Sequence, residues 1–210
     1  MGAKTALVVY ADGDVPELLK AVGAPDPERT AELVRRLYPG QVVEEAGEST
    51  LWVEARPPEG LVYAGCWPGV EVVCDRRVMV DRPTSELPPE VLAAGAGRRR
   101  MVLHAMHSVV DWLAFAVWED GRLVRALSVS PDDGVIEDVG EPFAFELPYR
   151  AGERALEDDE DDGPYPLPYH PLELAEDALR GLVGFVMEDW PKPGDLDAGQ
   201  VRLLGFRVRA

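Results

Sequence analysis

The chain is short of positive charge. It sets 21 basic residues against 39 acidic ones, a formal net charge of −18 over 210 residues. Such a surface repels phosphate backbones, which argues against nucleic-acid binding. A basic protein partner or a metal ion suits it better. Cysteine is nearly absent, with Cys66 and Cys74 alone, which excludes a disulfide-stapled scaffold and predicts free thiols in a reducing compartment. No staple is needed, since a globule of this length buries roughly 70% of its unfolded surface. Asparagine is missing, Ile136 is the sole isoleucine, and lysine stands only at Lys4, Lys20 and Lys192. These residues have AT-rich codons, so their scarcity predicts a gene from a high-GC bacterium. No charged leader with a cleavage site precedes the first apolar run, which predicts a cytoplasmic protein. The opening Met1-Gly2 imitates a myristoylation signal, but Ala6 stands where Ser or Thr is wanted.

Long apolar runs are equally rare. Met101 to Trp118 is the one candidate span, and it carries His104, His107, Ser108 and Asp111. A charge at mid-bilayer costs roughly 2.5–3.5 kcal/mol, so the run reads as buried strand and no membrane contact is expected.

What is present reads as one α+β domain over 1–210, mainly antiparallel sheet with two N-terminal helices and one long C-terminal helix. Ala6 to Tyr10 is continuously apolar, a buried first strand. Asp14 with Glu17 three residues on predicts a capped helix, and Asp26-Pro27 opens a second. Leu51-Trp52-Val53, Leu61 to Ala64 and Val70 to Cys74 are short, β-rich and punctuated by Pro and Gly. Residues 83–94 read as loop with room for a short helix. Glu119-Asp120-Gly121 predicts a hairpin turn with Glu119 facing Arg122. Residues 151–168 form an acidic, Pro-rich loop segment. Pro171 to Met187 predicts the long helix, with Leu172, Ala175, Leu179, Leu182, Val183 and Val186 as its apolar stripe and Glu173, Glu176, Asp177 and Arg180 facing water. Val201 to Val208 closes the chain as a strand.

Several segments together resemble a known family: Tyr10-Ala-Asp-Gly-Asp14, Cys74 to Pro83, His104-Ala-Met-His-Ser-Val-Val-Asp-Trp112, Gly134 to Pro142, and Tyr165-Pro-Leu-Pro-Tyr-His-Pro171. The resemblance is to actinobacterial proteins carrying a domain of unknown function, and it spans nearly the whole chain. It implies an intracellular bacterial protein and brings with it no activity, cofactor or catalytic residue.

Chemistry must therefore be sought in the residues. His104, His107, Ser108 and Asp111 crowd one apolar run, where buried polar groups need partners. In a helix all four would share a face, fit for a metal or for acid–base and nucleophilic work. In a strand, the favoured conformation, His104 and His107 point to opposite sides and His107 shares a face with Asp111. His107 would then be a general base oriented by Asp111, with Ser108 or Cys66 as nucleophile in a small hydrolase. The plainer reading is two buried histidines bonded to nearby backbone, with Ser108 in a tight turn. Asp12 and Asp14 after the first strand resemble the metal-binding aspartates of haloacid-dehalogenase-type phosphatases, but Pro16 stands where that pattern has Thr or Val. The plainer reading makes Asp14 a helix cap and Asp12 part of a turn. Arg98-Arg99-Arg100 reads as a solvated strand entrance or as partners for local carboxylates. Glu157, Asp158, Asp159, Glu160, Asp161 and Asp162 partly imitate a calcium loop, yet Tyr169 holds the place of its bidentate Glu. As a solvated run they suit docking of a basic partner. The leading expectation is thus a non-enzymatic binding or interaction module, with the hydrolase as its rival.

Overall fold

A computed structural model describes residues 2–155 and 165–209. In chain order the elements are β1 (Lys4–Ala11), α1 (Val15–Lys20), α2 (Pro27–Leu37), β2 (Val42–Thr50), α3 (Leu51–Glu54), β3 (Leu61–Trp67), β4 (Val70–Cys74), α4 (Pro83–Glu86), α5 (Pro89–Ala94), β5 (Arg100–His107), β6 (Trp112–Glu119), β7 (Arg122–Ser130), β8 (Gly134–Val139), α6 (Leu147–Arg150), α7 (Pro171–Leu182) and β9 (Arg202–Arg209). The strands form one nine-stranded sheet in the order β2-β9-β3-β4-β1-β5-β6-β7-β8. Every neighbouring pair is antiparallel. The expected class, α+β on a mainly antiparallel sheet, is the one observed.

Helices cover both faces of this sheet. On the first face Leu7, Val9, Val102, Met106 and Phe115 pack with α1 and α7 through Val15, Leu19, Leu174 and Leu179. On the second, Val8, Tyr10 and Leu103 pack with α2 and α5 through Leu33, Val34, Leu37 and Val91. Central strands buried on both sides need apolar residues at every position, which is why β1 reads as a continuous run. The same holds for Met101 to Trp118, which is two strands rather than one. They are joined by a turn that ends at Asp111 in the left-handed region (φ 47°). No helix among the described residues is long and apolar enough to cross a membrane.

Local signals hold where their chemistry is local. Asp14 and Asp26 accept the N–H of Glu17 and Arg29, both at 3.0 Å, ahead of a proline in each first turn. Glu119 pairs with Arg122 across Asp120-Gly121, both at positive φ as a tight hairpin requires. Two expectations need correction. Leu51-Trp52-Val53 is not a strand but the start of α3. Thr50 Oγ1 accepts the Val53 N–H, and the Leu51 and Trp52 N–H groups donate to the Val201 and Ala198 carbonyls. The long C-terminal helix is short: α7 has 12 residues and ends at Leu182, not Met187. Gly184 at φ +104° lies just beyond and donates to the Leu179 carbonyl, a left-handed stop that ends the helix inside its apolar stripe.

Near the β8 edge of the sheet one charged side chain lies wholly inside the protein. Arg125 on β7 donates through Nε and Nη2 to the Glu146 carboxylate at 2.9 and 2.5 Å. Its Nη1 donates to Asp138 at 2.6 Å and to the Val139 carbonyl at 2.9 Å. Glu146 is itself buried and accepts the Phe143 N–H at 2.8 Å. Gly140 must be glycine, because a Cβ there would overlap the Val124 carbonyl at a φ of +84°. Removing one partner from such a pair leaves an uncompensated buried charge. Arg125→Met is expected to cost about 3–5 kcal/mol in urea denaturation, and adding Glu146→Gln is expected to recover part of that. A loss no larger than a surface pair's, about 0–1 kcal/mol, would contradict it.

Candidate functional site

Strand alternation divides the histidine run. His104 faces α7, where its Nε2 donates to the Ala175 carbonyl at 2.9 Å. A carbonyl only accepts, so Nε2 carries the proton and Nδ1 accepts from the Thr5 hydroxyl at 2.8 Å. Burial holds this ring neutral and pushes its pKa down to about 4. With both nitrogens engaged, His104 is a clamp between β1, β5 and α7. His107 lies opposite Trp112 on the other face, in a cavity of about 310 Å³ shared with Met79, Asp81, Asp132 and Asp133. Partial burial, then the charges of Lys4 and Arg56, keep its pKa below the usual value. The Nδ1 of His107, the Oγ of Ser108 and the Nε1 of Trp112 are buried without a hydrogen-bond partner among the described residues.

Asp111 does not join His107. The left-handed turn sends its carboxylate to Tyr165, whose hydroxyl donates at 3.2 Å, and to His170, whose Nε2 lies 3.6 Å away. Tyr165 stacks on the His170 ring with centroids 5.5 Å apart. The expected constellation of His104, His107, Ser108 and Asp111 is therefore not assembled. One histidine serves the first face, the other the second, and Asp111 pairs with a histidine more distant in sequence. Cys66 does not complete it. It is fully buried in the second-face core, where desolvation and then Glu71 push its thiol up to about 11. Cys74 is buried and raised for the same first reason, and both thiols are free. The Asp12–Asp14 metal pair does not form either. Asp12 accepts from Arg98 at 2.6 Å while Asp14 caps α1. Among the described residues no group of three or more His, Cys, Asp or Glu side chains is placed to hold a metal ion. The acidic run Glu157, Asp158, Asp159, Glu160, Asp161 and Asp162 lies outside the described residues.

A cleft of about 570 Å³ lies elsewhere, between α7 and the chain that folds back over it. Glu176, expected to face water, is buried because that returning chain covers it. Its carboxylate accepts the Met187 and Glu188 N–H groups at 2.8 and 3.0 Å. Burial pushes its pKa up, and those donors oppose the shift. Arg180, one turn further on, fastens the same loop. It donates to Asp177 at 3.2 Å, Asp189 at 2.7 Å, Asp195 at 3.3 Å and the Trp190 carbonyl at 3.0 Å. The Arg180 guanidinium also holds the Asp189 carboxyl below the usual carboxylate range. Thus fastened, the loop presents Trp190 at 86% exposure on the cleft wall. Five carboxylates line the cleft (Glu173, Glu176, Asp177, Glu188 and Asp189) against two cations, Arg154 and Lys192. His170 also lines it, and its Nδ1 accepts the Leu172 N–H as the cap of α7. The sequence held one sign of this site, a tryptophan set in the polar stretch Glu188-Asp189-Trp190-Pro191-Lys192.

The chain belongs to a family of unknown function, DUF6928, whose model matches residues 5–206. No curated protein and no solved structure matches it.

The His104 clamp has a consequence for stability. The unfolded ring takes up a proton near pH 6.5, while the folded one refuses it down to about 4. Stability is therefore full above pH 6.5, falls as pH drops toward 4, and levels off below that. The contribution lost is at most ~3 kcal/mol. Denaturation at neutral and acid pH is expected to show a steeper loss for the wild type than for His104→Gln. Parallel losses in the two proteins would mean that His104 is not held neutral.

Proposed function

We propose that this member of the DUF6928 family is a binding module that receives a cationic segment of a protein partner in the cleft beside Trp190. The observation that carries the reading is the exposed indole, set among carboxylates on a loop that Arg180 fastens. An indole left in water on a loop fastened by ion pairs forgoes apolar burial. What it offers in return is a face that attracts a lysine or arginine head group, worth about 0.5–2 kcal/mol. The carboxylates supply the countercharge, and the net charge of −18 steers a basic partner toward the surface and speeds encounter. The acidic run 157–162 adds to that field by its composition. A bacterial cytoplasm suits the two free thiols. The hydrolase reading would need His107, Asp111 and a nucleophile within reach of one another, and Asp111 pairs with Tyr165 and His170 instead.

An oligo-arginine peptide is expected to bind at low ionic strength and to weaken steeply with added salt. Trp190→Ala is expected to weaken it about three- to thirtyfold by calorimetry, with Glu173→Gln acting in the same direction. Equal binding by wild type and Trp190→Ala would place the peptide elsewhere and end this reading.

A further inference from the structure

On the opposite face of the sheet a second cavity has a different character. It measures about 280 Å³ and lies between α2 and the turn that leads from α5 into β5. Arg29, Arg36 and Arg98 line it, with Glu32 at α2 and Glu71 of β4. Three guanidinium groups around one small cavity are unexpected in a chain with 21 cations among 39 acids. Arg29 and Arg36 are seven residues apart on α2, two helical turns, and so point the same way.

The cavity is internally braced. Glu71 is 5% exposed, and its carboxylate accepts from Arg98 at 2.5 Å and from Arg29 at 3.4 Å. Arg98 is also held by Asp12 on its far side, leaving 18% of its side chain exposed. The one buried acid is thus engaged by two arginines. The Arg36 side chain has no hydrogen bond or ion pair among the described residues, yet its charge reaches inward and opposes the upward pKa shifts of Cys66 and Tyr10. The walls at Ala94 and Ala96 are small residues.

We propose that this cavity binds a small phosphate-bearing anion, with Arg36 as its principal ligand, Arg29 as its second, and Glu71 positioning Arg29 and Arg98 from beneath. The guanidinium fork matches a tetrahedral oxyanion with two parallel donors. The volume falls below the ~300–1,000 Å³ of sites that enclose drug-sized ligands, so the group taken up is the phosphate itself, free or as the head of a monoester. The site is independent of the cleft at Trp190, from which the sheet and its core separate it.

The test uses the full chain at constant ionic strength, titrated with inorganic phosphate, with glycerol phosphate and with acetate, read by calorimetry and by melting temperature. Inorganic phosphate is expected to bind saturably and to raise the melting temperature, while acetate does neither. Arg36→Gln is expected to lose about tenfold or more in affinity, and Arg36→Lys, which keeps the charge without the fork, to lose less. Arg36 is exposed, so both variants should keep the wild-type melting temperature without ligand, which separates lost binding from lost folding. Equal affinity for glycerol phosphate would identify a monoester head group as ligand, and exclusion of the ester would identify the free ion. No saturable phosphate binding, or equal binding by Arg36→Gln, would overturn the proposal. Trp190→Ala should leave phosphate binding intact, so the two readings fail separately.

Discussion

A guanidinium with no access to water cannot be left half-satisfied, and Arg125 sets the terms for the β8 side of the molecule. Taking a charge out of water costs several kcal/mol, and the cost is offset only by a full set of acceptors. Those acceptors include Asp138 and the Val139 carbonyl on β8, and Glu146 ahead of α6. The pairing therefore fixes how the edge strand lies and where α6 begins. Because α6 carries Tyr149, whose hydroxyl donates to Asp177 at 2.7 Å, the same constraint reaches the wall of the cleft beside α7. Asp177 shares Arg180 with Asp189 and Asp195, and Arg180 in turn holds the Trp190 loop. A line of charge-assisted bonds runs from the sheet edge to the backbone of the loop that carries the exposed indole.

Charge is spent in this protein on geometry before it is spent on partners. Arg98, Arg125, Arg150 and Arg180 each engage more than one carboxylate. Multiple engagement is what makes such pairs worth more than isolated surface bridges. With so many arginines committed inside the fold, the surplus left facing solvent is negative. Arg36 stands outside this pattern, lining a cavity with no carboxylate partner of its own among the described residues.

Much of the fold was legible because its causes are local. The caps at Asp14 and Asp26, the Asp120-Gly121 turn and the doubly buried β1 each follow from a few adjacent residues. What misled had long-range causes. The stripe on α7 runs past Leu182 in sequence, and Val183 and Val186 are indeed buried, but Gly184 turns them inward from a loop. Glu176 looked solvent-facing because helical periodicity does not report a chain segment returning from eleven residues downstream to donate its N–H groups. Leu51 is buried as a strand residue would be, yet hydrogen bonds to Val201 and Ala198 wind it into a helix. The same division holds for the sites. That His104 and His107 would part company follows from strand alternation alone. That Asp111 would leave His107 for His170 follows from one left-handed residue in a turn hidden by Val109 and Val110, whose apolar side chains imitate a continuing strand.

The two proposed sites differ in what keeps them ready, and the difference bears on how each tolerates change. The phosphate cavity rests on α2 and on β4, elements held by a core in which Leu33, Val34 and Leu37 are fully buried. Arg36, exposed and without a side-chain partner among the described residues, can be altered without loosening the frame beneath it. The Trp190 loop sits beyond the last turn of α7 and relies on side chains of that helix for its shape. Truncating Arg180 would release Asp177, Asp189, Asp195 and the Trp190 carbonyl together, so the effects of single changes along that loop cannot be additive. Trp190 itself contributes little to the frame, since it is its carbonyl and not its ring that Arg180 holds. Its side chain is thereby separable from the architecture that displays it, as a residue kept for contact with something outside the chain would be.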